Sequence, residues 1–249
     1  MTRPRSSRAA LARSLRAYHG DADRNALMDA LYARFLKAGD LAFDIGAHVG
    51  DRISCFRRLG ARIVALEPQP GPARVIRVIH ARDPDVVLLQ AAAGDREGDI
   101  TLRINSANPT VSTASDNFVR AADGAGGWEG QVWDRAITVP CMTLDRLMAE
   151  HGRPAFIKID VEGFEDRVLA GLSQAVPALS FEFTTIARDV AQRCLERLAA
   201  LGPYRFDVAL GESQQLKFGR WINLDQMSAH LRELPHEANS GDVYAVLDI

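Results

Sequence analysis

Apolar residues recur along this chain at two spacings that take turns. Between residues 22 and 37, Leu27, Leu31 and Phe35 fall every four residues with Met28 and Tyr32 beside them, which predicts an amphipathic helix ended by Gly39. Short apolar runs then alternate with helical stripes. Leu41 to Asp44 reads as a strand entering a glycine turn, and Asp51 to Leu59 as a helix with Ile53 and Phe56 inward and Gly60 at its end. Arg62 to Leu66 is a second strand, and Pro70-Gly71-Pro72 opens a helix with Val75, Ile76 and Ile79 on one face. Val86 to Ala92 is a third strand, followed by a polar-apolar strand over Asp99 to Ile104. Further on, Thr143 to Leu147 starts a helix, Ala155 to Asp160 is a strand, and Glu165 to Leu172 a helix. Leu179 to Phe183 is a strand, Val190 to Leu201 a helix closed by Gly202-Pro203, and Tyr204 to Leu210 and Asp242 to Ile249 are the last two strands.

Strands and helices in this alternation imply a doubly wound, mostly parallel sheet with helices on both faces. The reading is one α/β domain over residues 40–249 behind a basic arm and helix over 1–39, with no internal repeat. Residues 105–135 break the rhythm. They carry Asn108-Pro109, Gly124, Gly126, Gly127, Trp128 and Trp133, and a long irregular stretch of this kind predicts a functional lid. Its tryptophans either stack on a ligand ring or pin the loop to the domain.

Composition narrows the classes. The chain has 249 residues, 47% hydrophobic and 25% charged, as in ordinary soluble domains. Its 30 Lys and Arg against 32 Asp and Glu give a net charge of -2, which speaks against a nucleic-acid binder. Cys55, Cys141 and Cys194 are too scattered for a disulfide framework or a thiolate metal site, so a reducing cytoplasm is expected. No apolar run approaches the roughly 18 residues that span a bilayer, so no membrane partner is expected. Arg3, Arg5, Arg8, Arg13 and Arg16 share the first twenty residues with no acid; the reading is a solvated basic arm leading into a helix. The six histidines form no H-x-x-x-H pair, and no metal is expected. Asp160 and Glu162 would be the carboxylates able to hold magnesium, with a purely structural role as the other reading.

Ligands of open α/β sheets bind at the carboxyl ends of the strands. The first strand ends Asp44-Ile45-Gly46-Ala47-His48-Val49-Gly50. A dinucleotide turn would read G-x-G-x-x-G and face a pyrophosphate; here His48 takes the middle glycine's place and Asp44 precedes the turn. A carboxylate there suits a ligand bearing an ammonium and a sulfonium, S-adenosylmethionine, while a helix-capping Asp is the plainer reading. Glu67, followed by Pro68, stands twenty-one residues beyond Gly46, the offset of an acid that takes both ribose hydroxyls of an adenosine cofactor. Gln90 and Ala92 at the third strand's end suit an adenine lying against backbone. Asp160 and Glu162 follow the fourth core strand, across the switch point, where they face the reactive end of the cofactor; Glu182 is one strand further. Lys158 reads as a buried ion-pair partner of these acids, and Glu165 as a first-turn helix acid.

The segments FDIGAHVG, LEPQP, AAAGDREGDITL, VPCMTLDRL, FIKIDVEGFEDRVLAGL and SFEF, in this order from about Asp40 to Phe183, resemble the FkbM-type family of S-adenosylmethionine-dependent methyltransferases. The resemblance implies a class I methyltransferase fold, Rossmann-like, with seven strands, the last antiparallel. It also implies O-methylation of a hydroxyl on a sugar, polyketide or related small molecule. Asp44, Gly46 and Gly50 match the family's first cofactor motif, Glu67 its ribose acid, and Asp160 and Glu162 its fourth-strand motif. His48 stands where asparagine is frequent. Asp160 is expected to position the cofactor side, Glu162 to serve as base or acceptor anchor, Glu182 to rank third, and His48 to be a reserve base. An NAD-dependent oxidoreductase fits the glycine spacing and Asp44 poorly, and a non-catalytic cofactor-binding module would lose the fourth-strand acids that this chain keeps.

Overall fold

A computed structural model describes residues 7–248. Helices α1 (Ser7–His19) and α2 (Ala22–Tyr32) precede β1 (Leu41–Ile45), α3 (Asp51–Arg58), β2 (Arg62–Leu66), α4 (Pro70–Ile79) and β3 (Val86–Leu89). Next come β4 (Ala92–Ala93), β5 (Gly98–Ile104), a short 3₁₀ turn at Pro109–Val111, α5 (Asp116–Ala122) and β6 (Arg135–Met142). The chain closes with α6 (Leu144–His151), β7 (Phe156–Ile159), α7 (Glu165–Ala170), β8 (Ala178–Thr184), α8 (Arg188–Leu201), β9 (Tyr204–Leu210), α9 (Leu224–Glu233) and β10 (Ser240–Leu247).

Seven strands form one sheet in the order β3-β2-β1-β7-β8-β10-β9. The pairs from β3 to β8 are parallel, and β10 runs antiparallel to both of its neighbours. This is the class I methyltransferase arrangement expected from the sequence. Every residue of β1 and β7 is buried, because a central parallel strand is covered on both faces. One face packs Phe43, Ile45, Ile157, Ile159, Val168 and Phe181 beneath α7 and α8. The other packs Ala42, Ile53, Phe56, Ile63, Phe156 and Tyr244, with α2 contributing Met28, Leu31 and Tyr32. The Tyr32 ring meets Phe56 edge-on at 4.9 Å.

Several local readings change. Helix α2 stops at Tyr32 rather than running to residue 37, and its buried face is Met28, Leu31 and Tyr32, leaving Leu27 at the edge of that face, exposed. Ile79 at the end of α4 is also exposed, over the sheet's outer strand. Residues Ser7 to His19 are helix rather than a solvated arm, with Ala10 and Ser14 buried; Arg3 and Arg5 lie outside the described residues. The third strand ends at Leu89, and Ala92-Ala93 joins a second, three-stranded sheet, β4-β6-β5. The apolar pattern does not announce β6. It carries Pro140, tolerated because β4 pairs with β6 only at Cys141 and Met142 and leaves Pro140 free on that side.

Strands β5 and β6 are antiparallel from Gly98↔Cys141 to Ile104↔Arg135, so residues 105–134 are a long hairpin connection. It is folded onto the domain. Phe118 and Trp128 meet edge-on at 5.0 Å, the Trp128 indole donates to Asn239 Oδ1 at 3.0 Å, and the Trp133 indole donates to the Val111 carbonyl at 2.9 Å. Both tryptophans pin the segment.

Candidate active site

The strand order reverses between β1 and β7, and their carboxyl ends open a cleft. After β1 the chain turns sharply. Gly46 has φ +86°, and a Cβ there would lie 1.9 Å from the Asp160 carbonyl oxygen, so only glycine lets the turns after β1 and β7 touch. The Leu66 carbonyl accepts from the Gly46 and Ala47 amides at 2.9 and 3.0 Å, which fixes the turn against β2.

Asp44, at the end of β1, is 1% exposed, and its Oδ2 has no hydrogen-bond partner among the described residues. Burial lifts its pKa to about 7, against the pull of Lys158. A buried carboxylate oxygen without a donor is aimed at something a ligand brings. Glu67, at the end of β2, accepts from the His48 amide at 2.8 Å and from the Gln69 amide at 2.7 Å, one on each oxygen. Burial raises its pKa to about 8. Each oxygen keeps a second acceptor site. Gln69 in turn donates to the Pro109 carbonyl and accepts from Ser112 Oγ, tying the hairpin connection to the cleft wall, where Thr110, Ser112 and Ala114 contribute.

The end of β7 carries the reactive cluster. Lys158 is fully buried, and its ammonium lies 3.0 Å from Asp160 Oδ2 and 2.9 Å from Asp242 Oδ1. Burial alone would push Asp160 up; the ammonium outweighs it and holds the carboxyl below its usual range. Glu162 follows in a left-handed turn at φ +56°, held by Thr113 Oγ1 donating to its carbonyl at 2.6 Å. Carboxylate oxygens of Asp160, Glu162 and Glu182 lie within 4.8 Å of one another. Burial first, and the neighbouring Asp160 charge second, push Glu162 and Glu182 well above the ordinary carboxylate range. Glu165, read from sequence as a helix acid, is buried and accepts from the Val161 and Gly163 amides, clamping the loop that carries Glu162.

Asp44, Gly46, His48, Glu67, Pro68, Ala92, Asp160, Glu162 and Glu182 all line this one cleft. Two expected cofactor contacts do not. Gly50 caps α3 with its Cα hydrogen facing Ile76, and Gln90 is exposed, accepting from Arg77 Nη2 at 3.0 Å because the chain turns outward on leaving β3. The sequence reading missed the rim. Tyr18 from α1 lies edge-on to His48 at 5.8 Å, and Arg24 covers its other side. Arg24 and Arg52 share Asp51 and Glu212, at 3.0 and 2.6 Å to Asp51 and 2.8 and 3.3 Å to Glu212. Burial lowers the pKa of His48, and its Nδ1 has no partner among the described residues.

The family model described as the methyltransferase FkbM domain matches residues 44–202, more than half of the chain. The chain belongs to the FkbM methyltransferase family. Among curated proteins it is 25% identical over 188 residues to the hexuronic acid methyltransferase AglP of Haloferax volcanii, covering 74% of this chain and 72% of that one. It is 30% identical over 179 residues to the 31-O-demethyl-FK506 methyltransferase FkbM of Streptomyces tacrolimicus, covering 61% and 68% respectively. An O-methyltransferase of Bacillus cereus solved with SAH gives a TM-score of 0.46 at 11% identity over 96% of this chain and 91% of that one, a likeness too loose to carry an argument.

As an FkbM-family methyltransferase, the protein uses S-adenosylmethionine. The residues present fit that cofactor: Asp44 offers an unpartnered buried carboxylate to a cationic group, and Glu67 offers two fixed acceptor oxygens to a diol.

Proposed function

We propose that this methyltransferase acts on a hydroxyl oxygen of a small molecule, and that the Asp160, Glu162 and Glu182 cluster takes the hydroxyl proton. The observation that carries this reading is the cluster itself: three carboxyls within 4.8 Å at the switch point, of which only Asp160 has a cationic partner. When bound, S-adenosylmethionine supplies an electrophilic methyl group on a sulfonium. Asp44, Glu67 and the Gly46 turn hold and orient it. Lys158 holds Asp160 below its usual range, and burial makes Glu162 and Glu182 hold a proton more tightly than an ordinary carboxyl does. When one of them gives up that proton, it becomes a base stronger than an ordinary carboxylate, suited to a hydroxyl that must lose its own proton as the new bond forms.

One relative's name specifies a 31-O position, which supports an oxygen acceptor, and the other's specifies a hexuronic acid, which supports a small-molecule acceptor. A small molecule rather than a nucleic acid suits a net charge of -2 and an acid-lined cleft. No helix among the described residues is long and apolar enough to cross a membrane.

Single-turnover kinetics on Glu162→Gln and Glu182→Gln, with cofactor affinity measured by calorimetry, tests the assignment. Loss of the base lowers the rate constant by about 10²–10⁴-fold in at least one variant while cofactor affinity stays within a few-fold. Near wild-type rate constants in both would remove the cluster from the chemistry.

A further inference from the structure

S-adenosylmethionine brings one anionic group, the carboxylate of its amino-acid end, into a cleft whose charged side chains are mostly acids. Among the described residues lining that cleft, Lys158 and Arg52 are the only lysine and arginine. Lys158 is buried between two carboxylates, Asp160 and Asp242. Arg52, in the first turn of α3, shares its acids with Arg24 of α2. Those two acids differ in standing. Asp51 is buried, 2.6 Å from Arg52 and 3.0 Å from Arg24. Glu212 comes from the irregular segment after β9, and its side chain is 55% exposed. One of its oxygens holds Arg24 at 2.8 Å and Arg52 at 3.3 Å. The buried Arg52 Nε has no acceptor among the described residues. Tyr18 keeps Arg24 in place: its ring lies 5.2 Å from the guanidinium carbon, and its carbonyl accepts from Nη1 at 3.2 Å.

We propose that Arg24 and Arg52 bind the carboxylate of the cofactor's amino-acid end, in competition with Glu212. An amino acid carries its ammonium and its carboxylate on one carbon. The β1–α3 connection offers a counter-charge to each, Asp44 before the glycine turn and Arg52 after it, and Asp44 feels the Arg52 charge. Exchanging Glu212 for the cofactor's carboxylate keeps the rim balanced at two cations and two anions. The Arg52 Nε–H supplies a donor that Glu212 leaves unused. Hydrogen bonds from a guanidinium to a carboxylate are roughly twice as strong as neutral ones, so the exchange is worth measurable affinity.

The test uses two ligands that differ in this group alone. S-adenosylhomocysteine carries the carboxylate; its decarboxylated analogue, S-adenosyl-3-thiopropylamine, keeps the adenosine, the thioether and the ammonium. Calorimetry measures both on the full chain and on its Glu212→Gln and Arg24→Gln variants. The wild type binds S-adenosylhomocysteine more tightly than the analogue by roughly 10-fold or more. Glu212→Gln, an isosteric change at an exposed side chain, tightens S-adenosylhomocysteine several-fold and leaves the analogue unchanged. Arg24→Gln weakens S-adenosylhomocysteine by roughly 10–100-fold and the analogue by no more than about two-fold. Equal affinity of the wild type for the two ligands overturns the proposal. So do equal losses of both in an Arg24→Gln variant that circular dichroism shows to be folded, the mark of a purely structural ion pair. Unchanged or weaker S-adenosylhomocysteine binding in Glu212→Gln overturns it as well, since Glu212 would then support the rim rather than compete for it. Should Arg24→Gln fail to fold, the ligand pair on the wild type and on Glu212→Gln decides.

Discussion

Replacing Lys158 with methionine removes a charge while nearly keeping the volume, so cavity formation contributes little. What remains are Asp160 and Asp242, which the ammonium had held at 3.0 and 2.9 Å. Breaking a buried pair by deleting one partner costs about 3–5 kcal/mol, because the other charge is left uncompensated. The cost has a ceiling, since the orphaned carboxyl escapes by binding a proton. Asp242 is buried, and burial already pushes it above the ordinary carboxylate range against the pull of Lys158, so it is the group that does this. Protonating a carboxyl with an unfolded pKa near 3.9 at pH 7 costs about 4 kcal/mol. The expected loss at pH 7 is therefore about 3–4 kcal/mol. A folded-state pKa raised above the unfolded value gives stability that is present at low pH and lost as pH rises. The gap between variant and wild type thus narrows by up to about 1.4 kcal/mol per pH unit on going down from pH 7 toward pH 4. Asp160 works in the same direction, because Lys158 depresses its pKa in the wild type and the stability this gives disappears as pH falls. Urea unfolding followed by circular dichroism at pH 7 and pH 5 measures the gap. A gap under about 1 kcal/mol at pH 7, or one of equal size at pH 5, would refute the account of Lys158 as the charge that balances the cleft floor.

Gly46→Ala places a Cβ 1.9 Å from the Asp160 carbonyl, so the turns after β1 and β7 must part and cofactor affinity falls beyond detection by calorimetry. Gly39→Ala is its control, with similar positive φ and nothing within 4 Å, and loses only the backbone strain of about 1–2 kcal/mol with cofactor binding intact. Because burial raises Glu162 and Glu182, kcat/KM climbs with pH beyond the range where an ordinary glutamate has finished titrating, and this limb shifts or disappears in Glu162→Gln. A pH-independent rate between pH 5 and pH 9 would contradict the proposed base.

The alternation of short apolar runs with helical stripes determined the sheet: β1, β2, β7, β8 and β9 lie within a residue or two of where the apolar pattern puts them. Placement of the cleft residues was also legible, because a doubly wound sheet brings its strand ends to one edge whatever the loops do. Asp44, Glu67, Asp160 and Glu182 come from four different strand ends and share one wall for that reason. Features resting on long-range register were not legible. Strand β10 lies between β8 and β9, which sets Asp242 opposite Glu182 and brings it to Lys158, eighty-four residues away in sequence. The outward turn of Gln90 and the switch of Ala92 to a second sheet depend on where β6 arrives, and the Tyr18 and Glu212 rim depends on α1 and the segment after β9 folding over α3. Local periodicity records which face of an element is apolar; which distant charge meets which is decided only when those faces pack.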